Sequence, residues 1–305
     1  MTSSVGFIEI MQAAGLNPPA NIEPGHLYRF GKNRTCYAKL FPDEAGGVFG
    51  DWKTGFKGHW QAEKSKPMSR AEWDVFARKI KAEEAARQRE MEHRHAARSI
   101  RAKAILGAAK GDPATHPYTV LKGNLYFGEY VRRGAWPQRN GADALLVPLF
   151  DKTGRVMNIS AIPGVPGLRK DLLAGARKQG CFYPLGRIRG AAVVLVGEGL
   201  ATVAAAVAST GLSGVMAVDA GNLPAGARVV RELAPAAEII ILADDDMHPD
   251  GQHNVGVLAA QAAAVAAKGV VAYPDMGRKA DFWDLWNEAG PEAVRAAISN
   301  SGVAL

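Results

Sequence analysis

Four rhythms of apolar and polar residues succeed one another along this chain. Residues 27–60 open with the alternation of LYRFGKNRTCYAKLF and continue through FPDEAGGVFGDWKTGFKGHW, where glycine, proline and aspartate break up short apolar pairs. A period of two with dense turn residues predicts a small β-rich unit. From Ser69 to about Lys110 the pattern turns helical, rich in Ala, Glu, Arg and Lys, with Pro113 beyond its end. Ser69 with Glu72 three residues on predicts a capping box at the start. The apolar stripe is weak, which predicts a long exposed connector. Residues 113–190 read as mixed α/β: ALLVPLF, DKTG and RVMNISAI give strand, turn and strand, and the loop PGVPG follows.

The last rhythm, residues 191–305, is the clearest. AAVVLVG, SGVMAVDAG, EIIILAD and GVVAYPD predict strands. LATVAAAVAST, LPAGARVVRELA, NVGVLAAQAAAVAAK and the region opened by DFWDLWNEAG predict helices. Strands that are apolar throughout, alternating with helices, predict an α/β fold with a Rossmann-like parallel sheet covered on both faces. The pattern divides the chain into a β-rich module (1–64), a basic helical connector (65–112), a basic α/β subdomain (113–190) and an α/β domain (191–305).

Charge sharpens this division. The net charge is +7, yet residues 1–112 carry 19 Lys and Arg against 13 acids, residues 113–190 carry 12 against 4, and residues 191–305 carry 6 against 13. A basic module followed by an acidic one fits a polyanion held by the first and metal ions by the second. Arg94, Arg98 and Arg101 share one helical face, which is either a solvated face or a nucleic-acid contact. The cysteines are Cys36 and Cys181 alone. That is too few for a zinc ribbon or a disulfide framework, so zinc is not expected and a reducing cytoplasm is. Neither a signal peptide nor a membrane helix is predicted, and the chain has no G-x-x-x-x-G-K-[ST] of a P-loop NTPase.

In parallel α/β sheets, ligands gather at the carboxyl ends of the strands. The first predicted strand of the last segment runs into Glu198 between two glycines. The third runs into Asp244, Asp245 and Asp246, and Asp281 and Asp284 follow the fourth. Carboxylates at one edge can hold Mg²⁺, and two such ions suit in-line phosphoryl transfer. Any one of them can instead cap a helix; that bland role is expected of Asp245 and Asp250, is open for Asp219, and solvation alone is expected of His248 and His253.

These residues carry a resemblance. VVLVGEGLATVAAAV, ILADDD and KADFWDL, in this order, resemble the glutamate, D-x-D and third acidic motifs of the Toprim domain. The resemblance gives Glu198, Asp244 and Asp246 catalytic and metal-site roles, with Asp281 and Asp284 as the third acidic element where DnaG-type primases read D-P-D. It leaves open whether Glu198 is a ligand or a proton-transfer group. LLVPLFDKTGRVMNIS resembles the strand–turn–strand that opens the RNA-polymerase subdomain of DnaG-type primases, and LRKDLLAGARKQGCFYPLG resembles the stretch after it. By that match Lys170, Lys178 and Tyr183 bind nucleotide or template. Ile162 or a neighbour stands where the family has an arginine, so that contact is either lost or supplied elsewhere, with Arg169 as the candidate. THPYTVLKG resembles the H-P-Y opening of this region in plasmid and phage primases. YRFGKNRTCYAKLFPDEAGGVFGDWKTG resembles their zinc-less β module, whose aromatics either stack bases or fill a small core.

The resemblance, over about residues 25–300, implies a mobile-element DNA primase. Such an enzyme makes short RNA primers from NTPs on single-stranded DNA with Mg²⁺ or Mn²⁺ and no zinc. Its expected partners are the template, NTPs and a replicative helicase or single-strand-binding protein, with no membrane. The chain's end soon after the acidic motifs leaves no room for a large C-terminal helicase domain. The alternatives are a Toprim nuclease with the same metals and a non-catalytic single-strand-binding accessory protein.

Overall fold

The computed structural model describes residues 3–62, 70–165, 167–246 and 254–303. The chain forms two compact units, residues 1–89 and 90–305. The predicted capping box at Ser69 and Glu72, and Asp250, His248 and His253, lie outside what is described.

The first unit is an antiparallel meander, β1 (Leu27–Phe30), β2 (Cys36–Leu40), β3 (Gly46–Asp51) and β4 (Phe56–Gln61), in that spatial order. Helix α1 (Ser3–Ala13), which the residue pattern did not foretell, supplies Phe7 and Met11 to a core with Ala38, Leu40 and Phe49. A second small core joins Phe41 and Val48 to Phe76, which belongs to the first turns of α2 (Arg70–Ala108). The aromatics of this unit divide their labour. Tyr37 and Phe49 are buried, Tyr28 and Trp60 half-buried, and Trp52 and Phe56 exposed. Burial of apolar rings is what lets so small a sheet hold together.

In the second unit the later turns of α2 are not a free connector. Ala102 is fully buried and, with Ile105 and Leu106, packs against Trp136, Leu146, Ile159 and Ala161. The Ser99 hydroxyl donates to the Val156 carbonyl at 2.5 Å. A small residue at the contact allows close approach, so the weak stripe in the sequence understated the packing. The surface beneath is an antiparallel sheet of β5 (Arg132–Trp136), β6 (Ala142–Phe150), β7 (Val156–Pro163) and β8 (Asp171–Leu172). The short helix α3 (Pro117–Leu121) precedes it, capped by His116, whose Nδ1 accepts the Tyr118 N–H at 3.2 Å.

The third sheet is the one the acids were expected to edge. Its strands are β9 (Tyr183–Leu185), β10 (Val193–Gly197), β11 (Ser213–Met216), β12 (Glu238–Leu242) and β13 (Val270–Ala272), in the order β13-β12-β10-β11-β9. All pairs are parallel except β11 with β9. Four helices join or follow them: α4 (Leu200–Thr210), α5 (Leu223–Leu233), α6 (Val255–Ala267) and α7 (Phe282–Ser299). Strand alternation divides the side chains between two layers. Leu195, Ile240 and Leu242 join a core with Val203 of α4 and Phe282, Val294 and Ile298 of α7. Val194, Val196, Ile239 and Ile241 face Ala227 and Val230 of α5 and Ala260 and Ala263 of α6. The connection leaves β10 toward β11 on one side and returns to β12 on the other, so the strand order reverses at β10. A crevice opens beyond the carboxyl ends at such a reversal.

Candidate active site

Glu198 and Asp244 stand at this reversal. Gly197 is paired with Leu242 in parallel register, so Glu198 lies just beyond the end of β10 and Asp244 just beyond β12. A Cβ at Gly197 would come within 2.9 Å of Val203, so only glycine lets α4 start this close to the strand end. The chain then bends. Asp245 exchanges two backbone hydrogen bonds with Ala280, at 2.8 and 3.0 Å. Its buried carboxylate accepts from the Asn254 amide. Asn254, not Asp245, caps α6: its Oδ1 accepts from Val257 N–H and from Asp246 N–H, each at 3.1 Å. The middle aspartate of the triplet is therefore a structural clip, and Asp244 and Asp246 flank it.

The electrostatics mark Asp244 most strongly. Burial, then the like charges of Asp281, Glu198 and Asp246, push its carboxyl up to about 7, and Lys170 only partly offsets them. Its Oδ1 is buried without a hydrogen-bond partner. Glu198 is also raised, first by burial and then by Asp219 and Asp246, against the opposing pull of Lys170. Asp246 is more open and pairs with Lys279 at 2.7 Å. Among the described residues no three His, Cys, Asp or Glu side chains already form a metal-holding group. The donor chemistry nonetheless fits a hard divalent cation: carboxylate oxygens, one of them buried and unsatisfied, in a set whose mutual repulsion a cation would relieve.

The third acidic pair is bound into the fold. Asp281 caps α7: its Oδ1 accepts the Trp283 and Asp284 N–H groups at 2.7 and 3.0 Å, and its Oδ2 accepts the Thr202 hydroxyl at 3.2 Å. Asp284 completes a capping box by accepting the Asp281 N–H at 2.9 Å. Both residues thus have helix-capping duties that sequence reasoning weighed only in general terms. Lys122, which it did not single out, places its ammonium over the Trp283 ring, and burial lowers its pKa against the pull of Asp281 and Asp284.

The expected cations are partly assembled. The Lys170 ammonium donates to the Val218 carbonyl, and burial lowers its pKa despite Asp219, Glu198 and Asp244. Lys178 donates to both oxygens of Asp219 at 3.0 Å. Two expectations are corrected or narrowed. Tyr183 is fully buried in β9, its hydroxyl donating to the Phe127 carbonyl at 2.8 Å, so it is a core residue rather than a nucleotide contact; an apolar strand position outweighed the motif match. Arg169 is exposed, and its carbonyl accepts from the Arg139 guanidinium at 2.6 Å. Arg94 and Arg98 lie beside Gly175, in the loop that leads to Lys178, and Arg94 also pairs with Glu90 at 3.1 Å. Arg101 is exposed. No described helix is long and apolar enough to cross a membrane.

No protein-family model matches the chain. Two curated proteins of Escherichia coli, both named DNA primase TraC, are similar to it. One is 28% identical over 294 residues, 90% of this chain and 20% of the relative. The other is 29% identical over 233 residues, 73% of this chain and 20% of the relative. The chain thus spans about a fifth of the length of the curated relatives it matches. Among solved structures, the Aquifex aeolicus primase (zinc-binding and RNA polymerase domains) superposes with a TM-score of 0.47 at 11% identity, covering 98% of this chain and 84% of that one.

Proposed function

We propose that this chain is a DNA primase of the Toprim type that synthesises short RNA primers from NTPs on single-stranded DNA. The observation that carries the reading is the meeting of two charge sets at one sheet edge. Glu198 and Asp244 stand at the ends of β10 and β12, and Lys170 and Lys178, from the preceding segment, are tied to the turn after the neighbouring β11. The similarity to TraC over most of the chain supports it.

In this reading Glu198, Asp244 and Asp246 hold Mg²⁺ or Mn²⁺, with Asp281 and Asp284 as the third acidic element. Bound there, the metal neutralises charge on the phosphates and lowers the pKa of the attacking hydroxyl. The chain's own groups do the rest. Lys170 and Lys178 hold nucleotide or template phosphate as point charges. Asp244, protonated up to about pH 7, must shed its proton to act as a ligand, so metal loading is favoured above neutrality. The Arg94 and Arg98 face beside the Lys178 loop contributes sequence-independent contacts to the DNA backbone. The 3′-oxygen of one nucleotide then displaces pyrophosphate from the α-phosphate of the next.

The test is incubation with single-stranded DNA, labelled ATP or GTP, the other NTPs and Mg²⁺ or Mn²⁺. Short NTP-dependent RNA that disappears in Asp244→Ala supports the primase. DNA shortening without NTPs would identify a nuclease, and DNA binding with no product an accessory protein.

A further inference from the structure

The turn after β11 holds two candidate-site residues, Lys170 and Lys178, and lies beside a third, Glu198. Val218 has φ 80°, a left-handed conformation that β-branched residues avoid. The Asp219 N–H donates to the Ala217 carbonyl at 3.0 Å, which closes a γ-turn of the strained, positive-φ kind around Val218. The Val218 carbonyl meets the Lys170 ammonium. The Asp219 carboxylate meets Lys178 through both oxygens at 3.0 Å. The Ala220 N–H bears on the Glu198 carboxyl, drawing its pKa down slightly against the larger effect of burial.

Such strain persists only where the surroundings over-determine the backbone, and here Asn222 does so. Its side chain is fully buried. Its Oδ1 accepts the Gly180 N–H at 2.8 Å, and its Nδ2 donates to the carbonyls of Cys181 at 2.8 Å and Ala217 at 2.9 Å. Its own N–H donates to Asp219 Oδ1 at 3.1 Å. One buried amide therefore ties down both ends of the Lys178–Asp219 pair: Gly180 and Cys181 follow Lys178, while Ala217 and Asp219 bracket the γ-turn.

We propose that Asp219 is a positioning residue that holds Lys178 as a pre-aimed donor for the triphosphate of the incoming nucleotide. The inference rests on the nucleotidyl-transfer reading above. An ammonium has three N–H donors, and a carboxylate with two oxygens leaves at least one free. The side chains of the pair are 36% and 38% exposed, so a phosphate can reach that donor. A loose lysine would have to give up its rotamer freedom on binding; held by Asp219, it has lost that freedom on folding, and the ordering cost is removed from the binding step.

Equilibrium binding of ATP with Mg²⁺ to the full chain tests this in four forms: wild type, Lys178→Met, Asp219→Ala and the double variant. Lys178→Met is expected to weaken binding about tenfold in the wild-type background, the weight of one charge-assisted hydrogen bond. In the Asp219→Ala background the same change is expected to cost less than about twofold, because an unheld lysine contributes little. Asp219→Asn, which keeps an acceptor for Lys178 and for the Asn222 N–H, restores part of the penalty and guards against a variant that merely misfolds. An equal Lys178 penalty in both backgrounds makes Asp219 a plain turn residue and overturns the proposal. A larger penalty without Asp219 means that it restrains Lys178, which overturns it too. Absence of ATP binding by the wild type also overturns it, whereas the primase reading stands or falls separately on primer synthesis.

Discussion

The Lys122 ammonium sits 3.2 Å from the centroid of the Trp283 ring. This contact joins the residue that follows α3 to the first turn of α7, beside the cap formed by Asp281 and Asp284. A cation over a partly desolvated indole is worth about 1–2 kcal/mol. Lys122→Ala is accordingly expected to lower unfolding stability in urea by about that amount. Lys122→Met, which keeps the apolar stem on the ring, should recover part of the loss. An unchanged midpoint in Lys122→Ala would show the contact to be energetically idle.

Tyr183 gives a sharper contrast between two roles. As a core residue its hydroxyl satisfies the buried Phe127 carbonyl. Tyr183→Phe leaves that carbonyl without its partner and should cost about 1–2 kcal/mol of stability. The KM for ATP in primer synthesis should stay at the wild-type value. A rise in KM with no loss of stability would return Tyr183 to the nucleotide site.

The difference between what the residues foretold and what the chain does has physical causes. The parallel strands and the acids at their ends were legible because burial on both faces imposes unbroken apolar runs, as in EIIIL. The helical face of α2 was understated because its contact is made by Ala102, which adds little to an apolar stripe. Asp245 was expected to cap a helix rather than to hold metal, but its actual role as a clip was not legible, since the clip depends on Ala280, a partner far away in sequence. The γ-turn was invisible for a stronger reason: valine argues for extended backbone, and only the buried hydrogen bonds of Asn222 override that preference. β9 was read with the preceding basic segment, yet it pairs with β11, because antiparallel addition at an edge leaves no mark in local pattern.

The arginine face of α2 makes a prediction about salt. Each contact to single-stranded DNA phosphate releases counterions and contributes about 0.7 to the slope of log K against log salt. Replacing Arg94, Arg98 and Arg101 together with glutamine should therefore reduce that slope by about 2. Fluorescence anisotropy of labelled single-stranded DNA over a salt series measures it. The Arg94–Glu90 pair, with side chains 48% and 72% exposed, is too open to hold Arg94 back from a phosphate. An unchanged slope would make the face a solvated one.

Asp244 links the site to stability. Its native carboxyl titrates near 7, against an ordinary value of 3.8. Between those values the native state holds a proton that the unfolded chain has released, so stability must fall as pH rises through this window. Glu198, also raised, adds to the fall in the same direction. In metal-free protein the loss by pH 8 is expected to be roughly 2–4 kcal/mol. Asp244→Asn cannot ionise, so its stability should vary less with pH and exceed that of the wild type at pH 8, although it makes no primers. Mg²⁺ added at pH 8 should raise the melting temperature of the wild type and leave that of Asp244→Asn nearly unmoved, since ligand binding to the native state stabilises it by mass action. Thermal melts with and without chelator from pH 4 to pH 8 decide the matter. A metal-free wild type whose stability is flat or rising over that range would mean that Asp244 is already ionised and compensated without a metal ion.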